Sequence, residues 1–196
     1  MEYLIIQILC SLAIALIAVW FDRKLRDKRE LVSILDSLVF ELAENLSIAR
    51  TIKSGIDNEV ELTKRGGWSP TPKPIFMDIA YSRAILSETF FDFVHKKHLN
   101  VLMKKLFECY AAFQVVNQNT RILNEAKFEV LTQPSLLPKY IEEILQKNKE
   151  VLLKVIEPAI TQLLLLLAQI DSRFQDVIEP LTTSREINMT SGRNFD

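Results

Sequence analysis

The chain has little glycine and little cysteine for its length of 196 residues. It contains four glycines and two cysteines, Cys10 and Cys109. So few glycines leave little room for tight turns or for glycine-rich loops that bind phosphate, and this favours long helices. Two cysteines cannot build a disulfide framework. Because both lie at apolar positions, we predict that they are buried thiols.

An excess of basic residues is also absent. The 24 lysines and arginines are balanced by 25 acidic residues, so the formal net charge at pH 7 is −1. Proteins that bind nucleic acids usually neutralise phosphates with a basic surface. We therefore predict no nucleic-acid partner. Hydrophobic residues make up 48% of the chain, which is too apolar for a disordered protein.

The common catalytic motifs are missing as well. The sequence contains no nucleotide-binding glycine pattern, no Gly-x-Ser-x-Gly, no His-Glu-x-x-His and no Cys-x-x-Cys. We therefore predict no cofactor. The weak metal candidates are Glu88, Asp92, His95 and His98, of which the first three fall at helical steps of four and three. The other interpretation of this spacing is a solvated polar face.

The sequence does have one long uncharged run. Tyr3–Phe21 comprises 19 residues without a charge, close to the ~20 apolar residues that cross a bilayer. Tyr3 and Trp20 lie near its two ends, where interfacial aromatic residues are common. A buried helix of a soluble protein is the competing interpretation, but such helices seldom run this long without charge. We predict a transmembrane anchor over residues 1–21.

Residues 22–30, called here the basic segment, follow this run and hold five basic and three acidic residues. A signal peptide would carry its positive charge before the apolar run, so we predict an uncleaved anchor. The positive-inside rule then places the N-terminus outside and the rest of the chain in the cytoplasm. The lipid bilayer is thus one predicted partner. The predicted membrane-interface residues are Tyr3, Trp20, Arg23, Lys24, Arg26, Lys28 and Arg29.

From Leu31 onward, apolar residues recur at helical spacing in a stripe wide enough to face a bundle core. No helix breaker separates this stripe from the anchor, so we predict one continuous helix from Tyr3 to about Lys53, ending near Gly55. Asn45 interrupts the stripe. Because a polar residue at such a position often fixes register or oligomeric state, we predict that Asn45 specifies an oligomer of this helix.

Glycines and prolines indicate a loop over residues 55–74, where Trp68 is a candidate contact for the bundle or for a partner. Later apolar stripes predict further helices, with an interruption at Pro158. Residues 159–170 are leucine-rich but too short to span a bilayer, so we predict a buried core helix there. We expect Asn45, Asn117 and Asn119 to pair with one another across the core, since buried amides need partners.

The predicted fold class is all-α. A single transmembrane helix would continue into a cytoplasmic antiparallel bundle of about four helices over residues 22–180, followed by a flexible tail over residues 181–196. The favoured function is that of a membrane-anchored, non-enzymatic interaction or scaffold protein that binds a protein partner or itself. One alternative is an oligomeric membrane-perturbing or pore-forming effector of a defence or toxin type. The other is a helical metal-dependent enzyme that uses the Glu88, Asp92 and His95 face.

Overall fold

The computed structural model describes the backbone of residues 2–65, 74–132, 138–176 and 178–180. Within these residues the chain is helical apart from short connections, which confirms the all-α class. A π-helical turn (Leu152–Ile156) joins the last two α-helices, and a 3-10 turn (Ser172–Phe174) follows them. The α-helices are α1 (Glu2–Lys64), α2 (Ile79–Leu86), α3 (Glu88–Lys96), α4 (Asn100–Thr132), α5 (Pro138–Val151) and α6 (Glu157–Ile170). The described chain therefore has about six helices rather than four.

Helix α1 is continuous over 63 residues, as its unbroken apolar pattern predicts. Its predicted end near Gly55 is wrong, because the helix passes through Gly55 and ends at Lys64. Ile52, Ile56 and Val60 extend the buried stripe at steps of four. Burial of these side chains outweighs the ~1 kcal/mol that a glycine costs inside a helix. The predicted loop over residues 55–74 is accordingly wrong in its first half.

Two of the predicted features lie outside the described residues. These are Trp68, the candidate contact in the loop, and the tail over residues 181–196. Both therefore stay predictions.

Helices α5 and α6, with the π turn between them, form one rod that runs antiparallel to α1. Lys53 of α1 pairs with Glu157 at 3.3 Å, and Lys64 pairs with Glu142 at 3.9 Å. Higher-numbered residues of α1 thus contact lower-numbered residues of the α5–α6 rod, so the two rods run in opposite directions. Side chains of this rod also contact α4, where Asn119 donates a hydrogen bond to Asn148 at 2.8 Å.

Helix α4 runs in the same direction as α1. Tyr110 of α4 donates a hydrogen bond to Glu41 of α1 at 2.6 Å. Further along both helices, Asn45 of α1 binds the main chain of Met77, and Asn117 of α4 binds the main chain of the adjacent Phe76. The three long rods therefore include one parallel pair, which differs from a purely antiparallel bundle. The parallel pair is possible because the chain between them, which contains α2, first returns along α1.

The three rods enclose one hydrophobic core. Apolar side chains from α1, α4 and the α5–α6 rod alternate at steps of three and four, so that each rod buries one stripe. The leucine-rich stretch over residues 159–170 contributes four of these side chains, which confirms the predicted buried helix. Side chains with no exposed surface include Ile34, Leu38, Leu42, Ile56, Leu106, Val116, Leu152, Ile156, Ile160, Leu163, Leu164 and Leu167.

The predicted interruption at Pro158 takes the form of a π turn directly before it. Proline has no N–H group, and its ring collides with the carbonyl of the residue four positions earlier in a regular α-helix. The N–H of Glu157 donates instead to the carbonyl of Leu152, five residues back. This wider turn accommodates Pro158 without ending the rod.

Candidate functional site

The first part of α1 lies outside the bundle. Every side chain from Ser11 to Glu30 is exposed, and the first fully buried residue after this stretch is Ile34. At 1.5 Å per residue, this exposed stretch is roughly 30 Å long. Its apolar part, Ser11–Phe21, therefore has no tertiary packing among the described residues, and it continues directly into the packed part of the helix.

Large apolar side chains cover the outer half of this exposed helix. Ile14, Leu16 and Val19 are 68%, 62% and 64% exposed. Soluble monomers rarely expose continuous apolar patches of more than a few hundred Å². Water contact with such a helix is unfavourable by roughly 25 cal/mol per Å² of apolar surface. The helix therefore needs a lipid bilayer or another protein around it.

The basic segment lies directly between this apolar helix and the bundle. Lys24 places its ammonium group 4.8 Å from the centre of the Trp20 ring, a cation–π contact at the end of the apolar run. Arg26 pairs with Asp22 at 3.1 Å on the exposed surface, where an ion pair contributes little. All the predicted interface side chains are exposed, and Tyr3 at the other end is 91% exposed.

Inside the bundle, two asparagines hold one extended dipeptide. The amide of Asn45 donates to the carbonyl of Met77 and accepts from its N–H, both at 2.8 Å. Asn117 does the same for Phe76, at 3.0 and 2.8 Å. Each amide thereby makes the pair of main-chain hydrogen bonds that a neighbouring β-strand would make. The predicted pairing of these asparagines with one another is wrong, because the main chain of Phe76 and Met77 lies between them.

The ring of Phe76 continues this contact into the core. It is 3% exposed and stacks on Phe113 of α4 with a centroid distance of 4.6 Å. The two asparagines and the Phe113 ring together fix the entry of the chain into α2. The third predicted asparagine, Asn119, pairs with the amide of Asn148, as expected for a buried polar group.

Glu41 supplies the cap that α2 itself lacks. Asp78 precedes α2 without making a side-chain cap hydrogen bond. The carboxylate of Glu41, only 4% exposed, accepts from the N–H groups of Ala80 and Tyr81 at 2.6 and 3.2 Å. These N–H groups belong to the first turn of α2, where a negative charge is favourable.

The same carboxylate also binds the phenol of Tyr110. Burial raises the pKa of Tyr110 well above its usual range, and its hydrogen bond to Glu41 and the nearby negative charge raise it further. The phenol is therefore neutral at every physiological pH. It acts as a hydrogen-bond donor that completes the surroundings of the buried carboxylate.

Glu30 fixes the next corner of the chain, at the junction of α2 and α3. Its carboxylate accepts hydrogen bonds from Ser87 at 2.8 Å and from Thr89 at 3.2 Å. Ser87 is also the N-cap of α3, where its hydroxyl accepts from the N–H of Phe90. Glu30, Glu41 and Asn45 thus attach residues 77–89 along one side of α1.

The weak metal candidates do not converge. Glu88, Asp92 and His95 lie on the exposed face of α3, and Asp92 pairs with Lys96 at 3.1 Å. His98 lies beyond the end of α3, with a φ angle of 54°. Among the described residues, no three histidine, cysteine, aspartate or glutamate side chains form a group that could hold a metal.

Cys109 is a buried thiol, as predicted. It has no exposed surface, and burial raises its pKa to about 12. A thiol in this state is protonated at neutral pH and is a poor nucleophile. The side chain of Cys10 lies outside the described residues.

One stretch of the described chain, Ile141–Ile170, is long and apolar enough to cross a membrane by length and composition. The core helix of a soluble protein passes the same test, so the support is weak. Here Leu152, Ile156, Ile160 and Leu163 of this stretch have no exposed surface. They pack in the core against α1 and α4.

A scan against protein-family models, a search of curated proteins and a search of solved structures each returned no match.

Glu41, Glu30 and Tyr110 are the residues that the sequence reasoning missed. A signal for Glu41 was present, because it lies four residues before Asn45 and adjoins the buried Leu42 of the stripe. A charged residue next to a polar one in an apolar stripe indicates a buried polar contact. The partners of Glu30 and Glu41 lie 39 to 69 residues away in the sequence, and no local pattern connects them.

Proposed function

We propose that this chain is a membrane-anchored, non-enzymatic interaction protein. Its first 21 residues cross a lipid bilayer, and α1 continues as a rigid rod that holds the helical bundle close to the membrane surface. The observation that carries the proposal is the exposed apolar helix between Ser11 and Phe21, which runs without a break into the packed part of α1. This helix is the second half of the 19-residue uncharged run Tyr3–Phe21, and a bilayer is the environment that matches the length and composition of the whole run.

The basic segment supports the orientation of the chain. Exposed cations beside a membrane helix favour the cytoplasmic side, so the N-terminus lies outside and the bundle lies in the cytoplasm. The same cations are close enough to anionic lipid headgroups to contribute ~1 kcal/mol each. Trp20, in contact with Lys24, lies at the level of the headgroups, as interfacial tryptophans do.

The use of the buried polar groups supports a role without catalysis. Glu41, Asn45 and Asn117 form hydrogen bonds with the main chain of residues 76–81 or with Tyr110. These groups therefore position a segment of the protein. The bundle offers its outer surfaces to a protein partner or to a second copy of the chain.

The pore-forming alternative requires several anchors around a polar lumen. The hydroxyl of Ser11, one of two polar groups inside the apolar run, donates to the carbonyl of Gln7 in its own helix at 2.9 Å. This contact satisfies the hydroxyl without a neighbouring anchor. We therefore propose the tethering role and not the pore.

Membrane extraction of the full-length chain tests the anchor. In the double variant Leu12→Asp/Leu16→Asp, two acids enter the middle of the apolar run, each at a cost of about 2.5–3.5 kcal/mol in a bilayer. We expect the wild-type chain to stay in membranes during an alkaline carbonate wash and the variant to be released.

The matched control is Thr51→Asp/Ser54→Asp, which adds the same charges to exposed positions of the packed part of α1. This variant should stay in the membrane like the wild type. Release of the wild-type chain by the carbonate wash would contradict the anchor, as would retention of the Leu12→Asp/Leu16→Asp variant.

A further inference from the structure

The junction of α2 and α3 lies at the end of the bundle that is nearest to the apolar run. Glu30 follows Phe21, the last residue of that run, by nine positions, so it lies roughly 13 Å further along the helix. Its carboxylate binds Ser87 and Thr89, and the side chains of a helix lean toward its N-terminus. The junction therefore lies at the level of Glu30 or closer to the apolar run.

The start of α4 lies at the same end. Tyr110 of α4 is level with Glu41 of α1, to which it is hydrogen-bonded, and the two helices run in the same direction. Val101 precedes Tyr110 by nine residues, and Val32 precedes Glu41 by the same number, so Val101 is about level with Val32. Because α3 connects two points at nearly the same level, it crosses this end of the bundle, called here the proximal end.

The proximal end exposes large apolar side chains on the side formed by α2, α3 and the start of α4. Leu86 is 82% exposed, Phe91 is 47% exposed and Val101 is 59% exposed. Lys96 and Lys97 are exposed at the end of α3. Exposed leucine and phenylalanine combined with lysine are typical of protein surfaces that lie against lipid headgroups.

The other side of the proximal end has a different composition. Arg173 lies 3.6 Å from Asp36 of α1, which places residues 171–180 at this end of the α5–α6 rod. Among the described residues of this range, no large apolar side chain is exposed, and the range holds one basic and three acidic residues. Residues 83–101 hold three basic and two acidic residues. An anionic bilayer therefore favours contact with the α2–α4 side.

We propose that the proximal surface, defined by Leu86, Phe91, Lys96, Lys97 and Val101, contacts the lipid headgroups of the bilayer that holds the anchor. The proposal rests on the proposed membrane anchor. It adds a second, peripheral contact between the bundle and the lipid.

The distances allow this contact when α1 is tilted. A bilayer with a hydrocarbon core of ~30 Å has a headgroup layer of roughly 5–7 Å on each side. A perpendicular α1 would hold Glu30 roughly 6–8 Å above this layer. Transmembrane helices are tilted by about 20° on average, and packed helices lie about 8–10 Å apart. Such a tilt toward α2 and α3 lowers them by roughly 3 Å relative to α1, and the long lysine side chains extend further toward the headgroups. The exposed residues of the proximal surface thus set the direction of the tilt.

Fluorescence quenching in vesicles tests the proposal. The full-length chain with Cys10→Ala and Cys109→Ala receives one cysteine by Leu86→Cys, Ile79→Cys or Leu25→Cys, which is labelled with a fluorophore. The vesicles contain phosphatidylglycerol and a phosphatidylcholine that carries a nitroxide quencher on its headgroup. Ile79 is the matched control, because it lies at the other end of α2 and is 77% exposed. Its neighbour Ala80 binds Glu41, which lies roughly 16 Å further from the membrane than Glu30.

We expect the nitroxide to remove about half or more of the fluorescence at positions 25 and 86, and less than about a tenth at position 79, because only the first two lie near the headgroup layer. Adding Phe91→Asp/Lys97→Glu to the Leu86→Cys chain should lower quenching to the level of position 79, because one apolar and one basic contact are lost. The control Val115→Asp/Lys147→Glu makes the same changes at exposed positions away from the proximal end and should leave the quenching at position 86 unchanged.

Position 25 separates this proposal from the anchor, because Leu25 lies four residues beyond the apolar run and within the headgroup layer of a spanning α1. Strong quenching at position 25 with equal quenching at positions 86 and 79 would overturn the lipid contact and leave the anchor standing. Unchanged quenching at position 86 in the Phe91→Asp/Lys97→Glu chain would also overturn it. Weak quenching at position 25 would contradict the anchor, and the lipid contact would fall with it.

Discussion

Asn45 is the single residue whose surroundings explain most about the fold. The amide is fully buried and makes both of its described hydrogen bonds to the main chain of Met77. From the sequence alone, a polar residue in an apolar stripe suggested contact with another helix. The structure gives it a contact with an extended segment of its own chain. The polarity of the site could be predicted, but its partner, 32 residues away in the sequence, could not.

Replacing Asn45 by leucine separates these two roles. In the variant Asn45→Leu, the N–H and the carbonyl of Met77 lose their partners inside the protein. We expect the free energy of unfolding to fall by about 2–6 kcal/mol, since each of the two unsatisfied groups costs about 1–3 kcal/mol. Urea unfolding of the detergent-solubilised chain, followed by circular dichroism, measures this change.

Asn58→Leu is the matched control, because Asn58 lies exposed on the same helix. It should change the unfolding free energy by no more than about 0.5 kcal/mol. If Asn45→Leu leaves stability unchanged and alters the particle size, the role of Asn45 is oligomerisation instead.

At the scale of elements, the course of α1 shows what sequence patterns can and cannot predict. Its continuity from the apolar run into the bundle follows from the unbroken spacing of its apolar residues. Its end does not, because a single glycine in a helical pattern does not reveal whether burial beyond it is sufficient. Here Ile56 and Val60 are buried after Gly55, and the helix continues. The direction of α4 relative to α1 could not be predicted from the sequence either, because it depends on the path of the chain between the two helices.

Gly55 offers a test of this part of α1. Because it lies inside a helix, we expect Gly55→Ala to raise the free energy of unfolding by about 0.5–1 kcal/mol. Gly55→Pro should lower it by about 3 kcal/mol or more, because proline breaks a helix interior. The same unfolding experiment measures both variants. Equal and small effects of alanine and proline would mean that the helix ends before this position.

At the scale of the whole molecule, the chain consists of two physically different parts. One is an exposed apolar helix that has no packing partner within the described residues. The other is a bundle in which Glu41, Asn45 and Asn117 bind the main chain of residues 76–81. The average composition, with 48% hydrophobic residues and a net charge of −1, does not reveal this division. The position of the apolar run and the basic segment after it does reveal it, and the exposure of residues 11–30 agrees with that interpretation.

The proposed arrangement requires the two ends of α1 to lie on opposite sides of a membrane. Labelling with a membrane-impermeant maleimide measures this directly in right-side-out and inside-out vesicles from cells that produce the chain. Single cysteines are introduced by Tyr3→Cys or Thr51→Cys into the Cys10→Ala/Cys109→Ala chain. We expect position 3 to be labelled in right-side-out vesicles alone and position 51 in inside-out vesicles alone. Labelling of both positions from the same side would contradict the transmembrane anchor.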